Sequence, residues 1–167
     1  GIMLAGVLKG QQMIENAKMK AVVDQAKSLA TAVYSFQDKF GQYPGDFNAA
    51  TTQLAGTGCT VANGDGGGNI GEYFAAAEHL ACAGYITGRY NGTDQNMKHK
   101  YGGIVYIYYQ TISGRTGNII RFDTLPWDVA AYLDRTLDDG VYNLGSIRAN
   151  EDYTLANSPI GQTAYFF

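Results

Sequence analysis

Asp134, Asp138 and Asp139 crowd together just before Gly140, at an Asp-Asp-Gly turn. Carboxylates gathered at a turn are the ligands that a hard cation such as calcium takes. Asp138 and Asp139 are therefore calcium candidates. The plainer reading is a helix-end turn with Gly140 at positive φ. A second oxygen-rich stretch holds Asn63, Asp65, Asn69 and Glu72, without the spacing of an EF-hand loop. Gly66-Gly67-Gly68-Asn69-Ile70-Gly71 has the G-x-G-x-x-G form, and Asp94 lies further on. A dinucleotide site needs a buried strand directly before those glycines, and Gly58 to Asp65 is too polar for one. His79 precedes Cys82 by one helical step, but a zinc site needs four ligands. No Gly-x-Ser-x-Gly occurs, and Ser and His are too sparse for a nucleophile with its base. No catalytic residue is assigned, the chain is not expected to be an enzyme, and no cofactor is expected other than calcium.

Two cysteines, Cys59 and Cys82, are the right number for one disulfide, which would require an oxidising compartment. The alternative is a pair of buried thiols. The chain of 167 residues carries a net charge of −3 with 16% charged and 13% aromatic residues. That composition excludes a charged disordered tail, and the acidic balance argues against nucleic acid as a partner. An aromatic set, Tyr106, Tyr108 and Tyr109 with Phe122, Tyr165, Phe166 and Phe167, falls on expected strands. Alternation sends Tyr106 and Tyr108 to one face and Tyr109 to the other. Sheet core is one reading of this set, and a contact patch is the other.

The elements that must position these groups fall into two parts. Residues 1–41 read as one long helix, the stem. Met19, Val22, Ala26, Leu29, Val33, Phe36 and Phe40 step by three and four, a heptad seam for packing and assembly. Asp24, Lys27, Thr31, Ser35 and Asp38 occupy the opposite face. Gly41 caps the helix and Pro44 follows. A helix of this length is near 60 Å long at ~1.5 Å per residue, too long for a small head to cover. Its first half must then find lipid or other helices. The eight residues opening the chain are mostly apolar, short of the ~20 that span a bilayer. They read as the end of a longer apolar helix.

Residues 42–167 read as a globular α+β head, with a Gly-rich loop at 55–71. Expected helices cover 46–54, 72–83 and 126–137. Expected strands cover 104–111, 118–122, 146–149 and 163–167, with a turn at 113–117. No βαβ repeat occurs, so the fold class is α+β: a long N-terminal helix packed on an antiparallel sheet. Residues 1–41 carry five Lys against three acids, and the head carries an acidic excess. That division suits attraction between the stem of one copy and the head of the next; random scatter of charge is the alternative.

The stem resembles the type IV pilin and pseudopilin superfamily. The run Gly1-Ile-Met-Leu-Ala-Gly-Val-Leu-Lys-Gly and its continuation through Phe40-Gly41-Gln42-Tyr43-Pro44-Gly45-Asp46 carry the likeness. In the head, Glu78-His79-Leu80-Ala81-Cys82-Ala83-Gly84-Tyr85-Ile86 and the Asp138-Asp139-Gly140 segment are similar to family segments in the right order. The resemblance implies a subunit of a type IV pilus or type II secretion pseudopilus, polymerising through its N-terminal helix. The partners implied are copies of itself or related pilins in a helical filament, the inner-membrane assembly machinery, and the inner membrane before assembly. It places the chain at the bacterial cell surface or in the periplasm. The alternative is a low-abundance tip subunit acting as an adhesin or substrate-binding module. Family members begin earlier, with a characteristic first residue and a fifth-position Glu. Gly1–Ala5 lacks both, so no peptidase or methylation residue is assigned.

Overall fold

A computed structural model describes residues 2–54, 62–93 and 97–167. Helix α1 runs unbroken from Ile2 to Phe40. Good helix formers and the absence of Pro explain its length. It stops because Gly41 takes φ +77°, with its N–H bonded to the Gln37 carbonyl at 2.7 Å. Three further helices follow: α2 (Ala50–Gln53), α3 (Tyr73–Cys82) and α4 (Trp127–Leu137).

Four strands, β1 (Val105–Ile112), β2 (Arg115–Leu125), β3 (Ile147–Ala149) and β4 (Ile160–Phe166), form one sheet in the order β1-β2-β4-β3. Every pairing is antiparallel. The fold is thus α+β, a long N-terminal helix on an antiparallel sheet. One face of the sheet joins α1, α3 and α4 in a common core that contains Ile107, Ile120, Phe122 and Ile147. On the other face, Ile112, Ile119, Ala164 and Phe166 form a small second cluster with Tyr108.

All seven seam residues lie in or against this core. Val22, Ala26, Leu29, Val33 and Phe36 are buried, and Met19 and Phe40 pack beside them. Val23, Ala30 and Ala32 are buried too, so the buried stripe is wider than a two-position seam. The stem's second half is therefore part of the head's own interior.

Several boundaries differ from the sequence expectation. The helix expected over 46–54 shrinks to Ala50–Gln53. The Asp46 and Phe47 carbonyls, which would start that helix, accept instead from the N–H groups of Gly66 and Gly64, each at 2.8 Å. The turn expected over 113–117 is a two-residue hairpin loop. Ser113 and Gly114 both have positive φ, the type I′ geometry that matches strand twist. Strand β2 is correspondingly longer at both ends, since Thr116 and Gly117 pair with Thr111 and Gln110. A 3-10 turn at Leu155–Asn157 is an element that the sequence expectation lacks.

Candidate functional site: an exposed half-helix and two carboxylate clusters

The first half of α1 leaves the head. The first side-chain tether is at Glu15, whose carboxylate accepts from the Tyr101 hydroxyl at 2.7 Å. Lys18 lies 5.7 Å from the same ring, and Gln25 donates to the Lys98 carbonyl at 3.1 Å. Upstream of that tether, Ile2, Met3, Leu4, Val7, Leu8, Met13 and Ile14 are between 56% and 91% exposed. These 13 residues, Ile2 to Ile14, extend about 20 Å at ~1.5 Å per residue. Exposed apolar patches of this kind mark interaction sites. Among the described residues no helix is long and apolar enough to cross a membrane.

The predicted Asp134, Asp138 and Asp139 do converge: each offers an oxygen within 4.8 Å of the others. Their donors are local. Buried Asp134 accepts from the Gly140 N–H at 2.9 Å and the Tyr153 hydroxyl at 2.7 Å. Asp138 accepts from the N–H groups of Ser146 and Ile147, and Asp139 from that of Val141 at 2.8 Å. Burial raises the Asp134 carboxyl above its ordinary range, and the Tyr153 hydroxyl bond partly opposes it. Burial and the Asp134 carboxylate together push the Tyr153 phenol up. This cluster staples the turn after α4 to β3, and no oxygen in it is buried without a partner.

A second cluster joins Asp65 and Glu72 to Asp46, again within 4.8 Å. Asp46 is absent from the sequence-predicted group because its local pattern reads as the start of a helix. The available signal was the Pro-Gly-Asp run opposite a loop rich in glycine. Gly45 takes φ +84°, and a Cβ there would meet Ile70 at 2.8 Å and Ala76 at 2.9 Å. Only glycine lets the chain pass so close to α3 and then turn Asp46 inward. Across from it, a Cβ on Gly64 would overlap the Asp46 backbone at 2.3 Å. Asn118 completes the docking of the loop. Its side chain accepts from the Ile70 N–H at 2.9 Å and donates to the Gly68 carbonyl at 3.0 Å.

His79 holds the same turn from below. The Gly45 N–H donates to Nδ1 at 2.9 Å, so the proton sits on Nε2 and is given to the Ala62 carbonyl at 2.9 Å. Burial pushes this imidazole below its ordinary 6.5, against the opposing Ala62 bond. Both ring nitrogens are thus occupied. Cys82 is disulfide-bonded, which removes the imagined Cys/His metal site. The chain's other cysteine, Cys59, lies outside the described residues, as does Asp94. Among the described residues, 62–65 before Gly66 form no strand, and the G-x-G-x-x-G run is a loop docked on a turn.

The aromatic set divides between the faces. Phe122 is core, whereas Tyr106 and Tyr108 stand on the outer face beside Tyr73 and Phe74 of α3. Arg121 lies 4.2 Å from the Tyr106 ring. Phe167 packs on Tyr34 and Tyr43 instead.

Comparison with the models of known protein families gives no match, and comparisons with curated proteins and with solved structures give none either.

Proposed function

We propose that this chain is a structural subunit of a bacterial filament of the type IV pilus or type II secretion pseudopilus kind. The carrying observation is the exposed apolar half of α1, Ile2 to Ile14, projecting from a head that already buries the helix's other half. Covering its seven exposed large side chains at roughly 1.5 kcal/mol each would contribute on the order of 10 kcal/mol before the cost of association. Copies of the same helix, offset along a common axis, supply that cover. A head-to-tail interface that does not close makes a fibre. The sequence likeness to pilins supports the same reading, as does the basic stem with an acidic head. The disulfide at Cys82 fits a periplasmic or surface location. Before assembly, the apolar half-helix would lie in the inner membrane.

A tip-located adhesin or substrate-binding subunit is the second reading. It is favoured by the half-exposed aromatics Tyr73, Tyr106 and Tyr108 on the outer sheet face, with exposed Phe74 beside them. Immunogold imaging of cells expressing the intact gene separates the two. Continuous labelling along filaments is expected. Labelling confined to tips supports the second reading, and labelling on no filament overturns both. In the same cells Ile14→Asp should abolish filaments while leaving the melting temperature of the purified chain unchanged.

A further inference from the structure

The two carboxylate clusters differ in one physical respect. At Asp134, Asp138 and Asp139, every oxygen buried from water has a donor. At Asp46, Asp65 and Glu72, two do not: Asp46 Oδ1 and Glu72 Oε2 are both buried without a hydrogen-bond partner. Asp46 is 1% exposed, and its other oxygen is held by the Gly68 N–H at 3.0 Å. Asp65, by contrast, is exposed, with one oxygen fixed by the Gly67 N–H at 2.8 Å. A buried oxygen with no donor is costly, and it is rare in native proteins unless an ion or water completes it. Here it stands among acids, where a cation satisfies every oxygen at once.

We propose that Asp46, Asp65 and Glu72 form a calcium site that clamps the loop 62–71 onto the Pro44-Gly45-Asp46 turn. The three carboxylates each offer an oxygen within 4.8 Å of the others. Ligands drawn from a loop, a turn and the residue before α3 suit calcium, whose coordination is flexible, better than magnesium, which demands a near-ideal octahedron and gives up its own waters reluctantly. The donor set is all oxygen, with no sulfur or imidazole to favour zinc. Three carboxylates leave room for water to complete the six to eight oxygens that calcium takes. Without a cation, burial raises the Asp46 carboxyl, and the neighbouring Asp65 raises it further. A shared proton between Asp46 and Asp65 is therefore the competing occupant. The site belongs to the head and does not rest on filament formation.

Titration calorimetry tests it, using the full chain stripped with a chelator and calcium chloride as the probe at near-neutral pH. One saturable site is expected, with a dissociation constant of about 1 mM or below, as for extracellular calcium modules, and magnesium at least about tenfold weaker. Asp65→Asn should weaken calcium by at least about tenfold, since it removes one of three charged ligands at an exposed position while leaving a side-chain oxygen to accept the Gly67 N–H. Asp139→Asn should leave calcium binding as it is. Added calcium should raise the melting temperature of the native chain and not that of Asp65→Asn. Absence of saturable binding up to about 10 mM overturns the site and favours the shared proton. Unchanged affinity in Asp65→Asn, or lost affinity in Asp139→Asn, overturns it as well.

Discussion

Replacing Phe36 by Ala tests whether the second half of α1 is interior to the head. The side chain is 0% exposed and central to an aromatic nest. Its ring centroid lies 4.5 Å from Phe40, 5.6 Å from Phe47, 6.1 Å from His79 and 6.4 Å from Tyr85. Truncating a buried Phe to Ala costs about 3–5 kcal/mol, the lost transfer free energy plus the cavity left behind. The upper half of that range is expected here. Phe40 lies one turn on along the same helix, and the Phe47 carbonyl is held by the Gly64 N–H at 2.8 Å, so both backbones resist movement into the void. Phe36 also loses edge contacts worth about 0.5–1.5 kcal/mol per aromatic pair. For a domain of this size about 2–4 °C of melting temperature corresponds to each kcal/mol, so the midpoint should fall by roughly 8–20 °C. Calorimetry and urea unfolding by circular dichroism measure it, with an unchanged urea slope showing that the unfolded state is not the cause. Ile14→Ala, at a position 60% exposed, should shift the isolated chain by no more than about 0.5 kcal/mol. A fall under 2 °C for Phe36→Ala, or equal effects of both variants, would refute the division of α1 into a buried and a free half.

Two substitutions and one titration probe the turn after α1. Gly41→Ala has open space and only the cost of φ +77°, about 1–2 kcal/mol. Gly45→Ala adds overlap with Ile70 and Ala76 to a similar φ and should cost at least about 1 kcal/mol more in urea unfolding. Equal costs would show that α3 does not press on this turn. His79 should titrate below 6.5 in the folded chain, because burial disfavours its charged form. Its contribution to stability is then complete above about 6.5 and is lost as pH falls from there through the folded value. Nitrogen chemical shifts should report the Nε2–H tautomer at neutral pH, and a midpoint at or above 6.5 would sink the assignment.

Much of this architecture was readable from residue spacing. The three-four spacing from Met19 to Phe40 locates the buried stripe because a helix repeats at 3.6 residues whatever covers it. Ile104 to Thr111 announced β1 through β-branched and aromatic side chains, and Gly41 and Gly84 marked helix ends. What stayed hidden depends on contacts distant in sequence. Asp46 reads locally as the start of a helix. Only Gly64 and Gly66, taking its carbonyl and that of Phe47, remove it from one. The extra length of β2 is likewise set by its partners: Gly117 is a poor strand former that β1 pairs anyway. Asp134, Asp138 and Asp139 were visible as a group, but their donors come from residues 140–147 and 153, so their role as a staple was not.

The placement of the seam narrows where a neighbour can bind. A stripe that is both the head's core and a filament contact would have to open the core to assemble. Val22, Val33 and Phe36 are fully buried, and exposing them would forfeit about 1.5–3 kcal/mol each. On the filament reading, then, the seam positions the head on its own stem, and neighbours meet the rest of the helix. That leaves the apolar run before Glu15 and the outer stripe of Lys27, Thr31 and Tyr34, which borders an open groove of about 420 Å³ shared with Leu137 and Tyr165. On that reading the same helix divides two tasks by position along its length. A charge placed at Ile14 should block assembly without unfolding, whereas one at Val33 should unfold the head first.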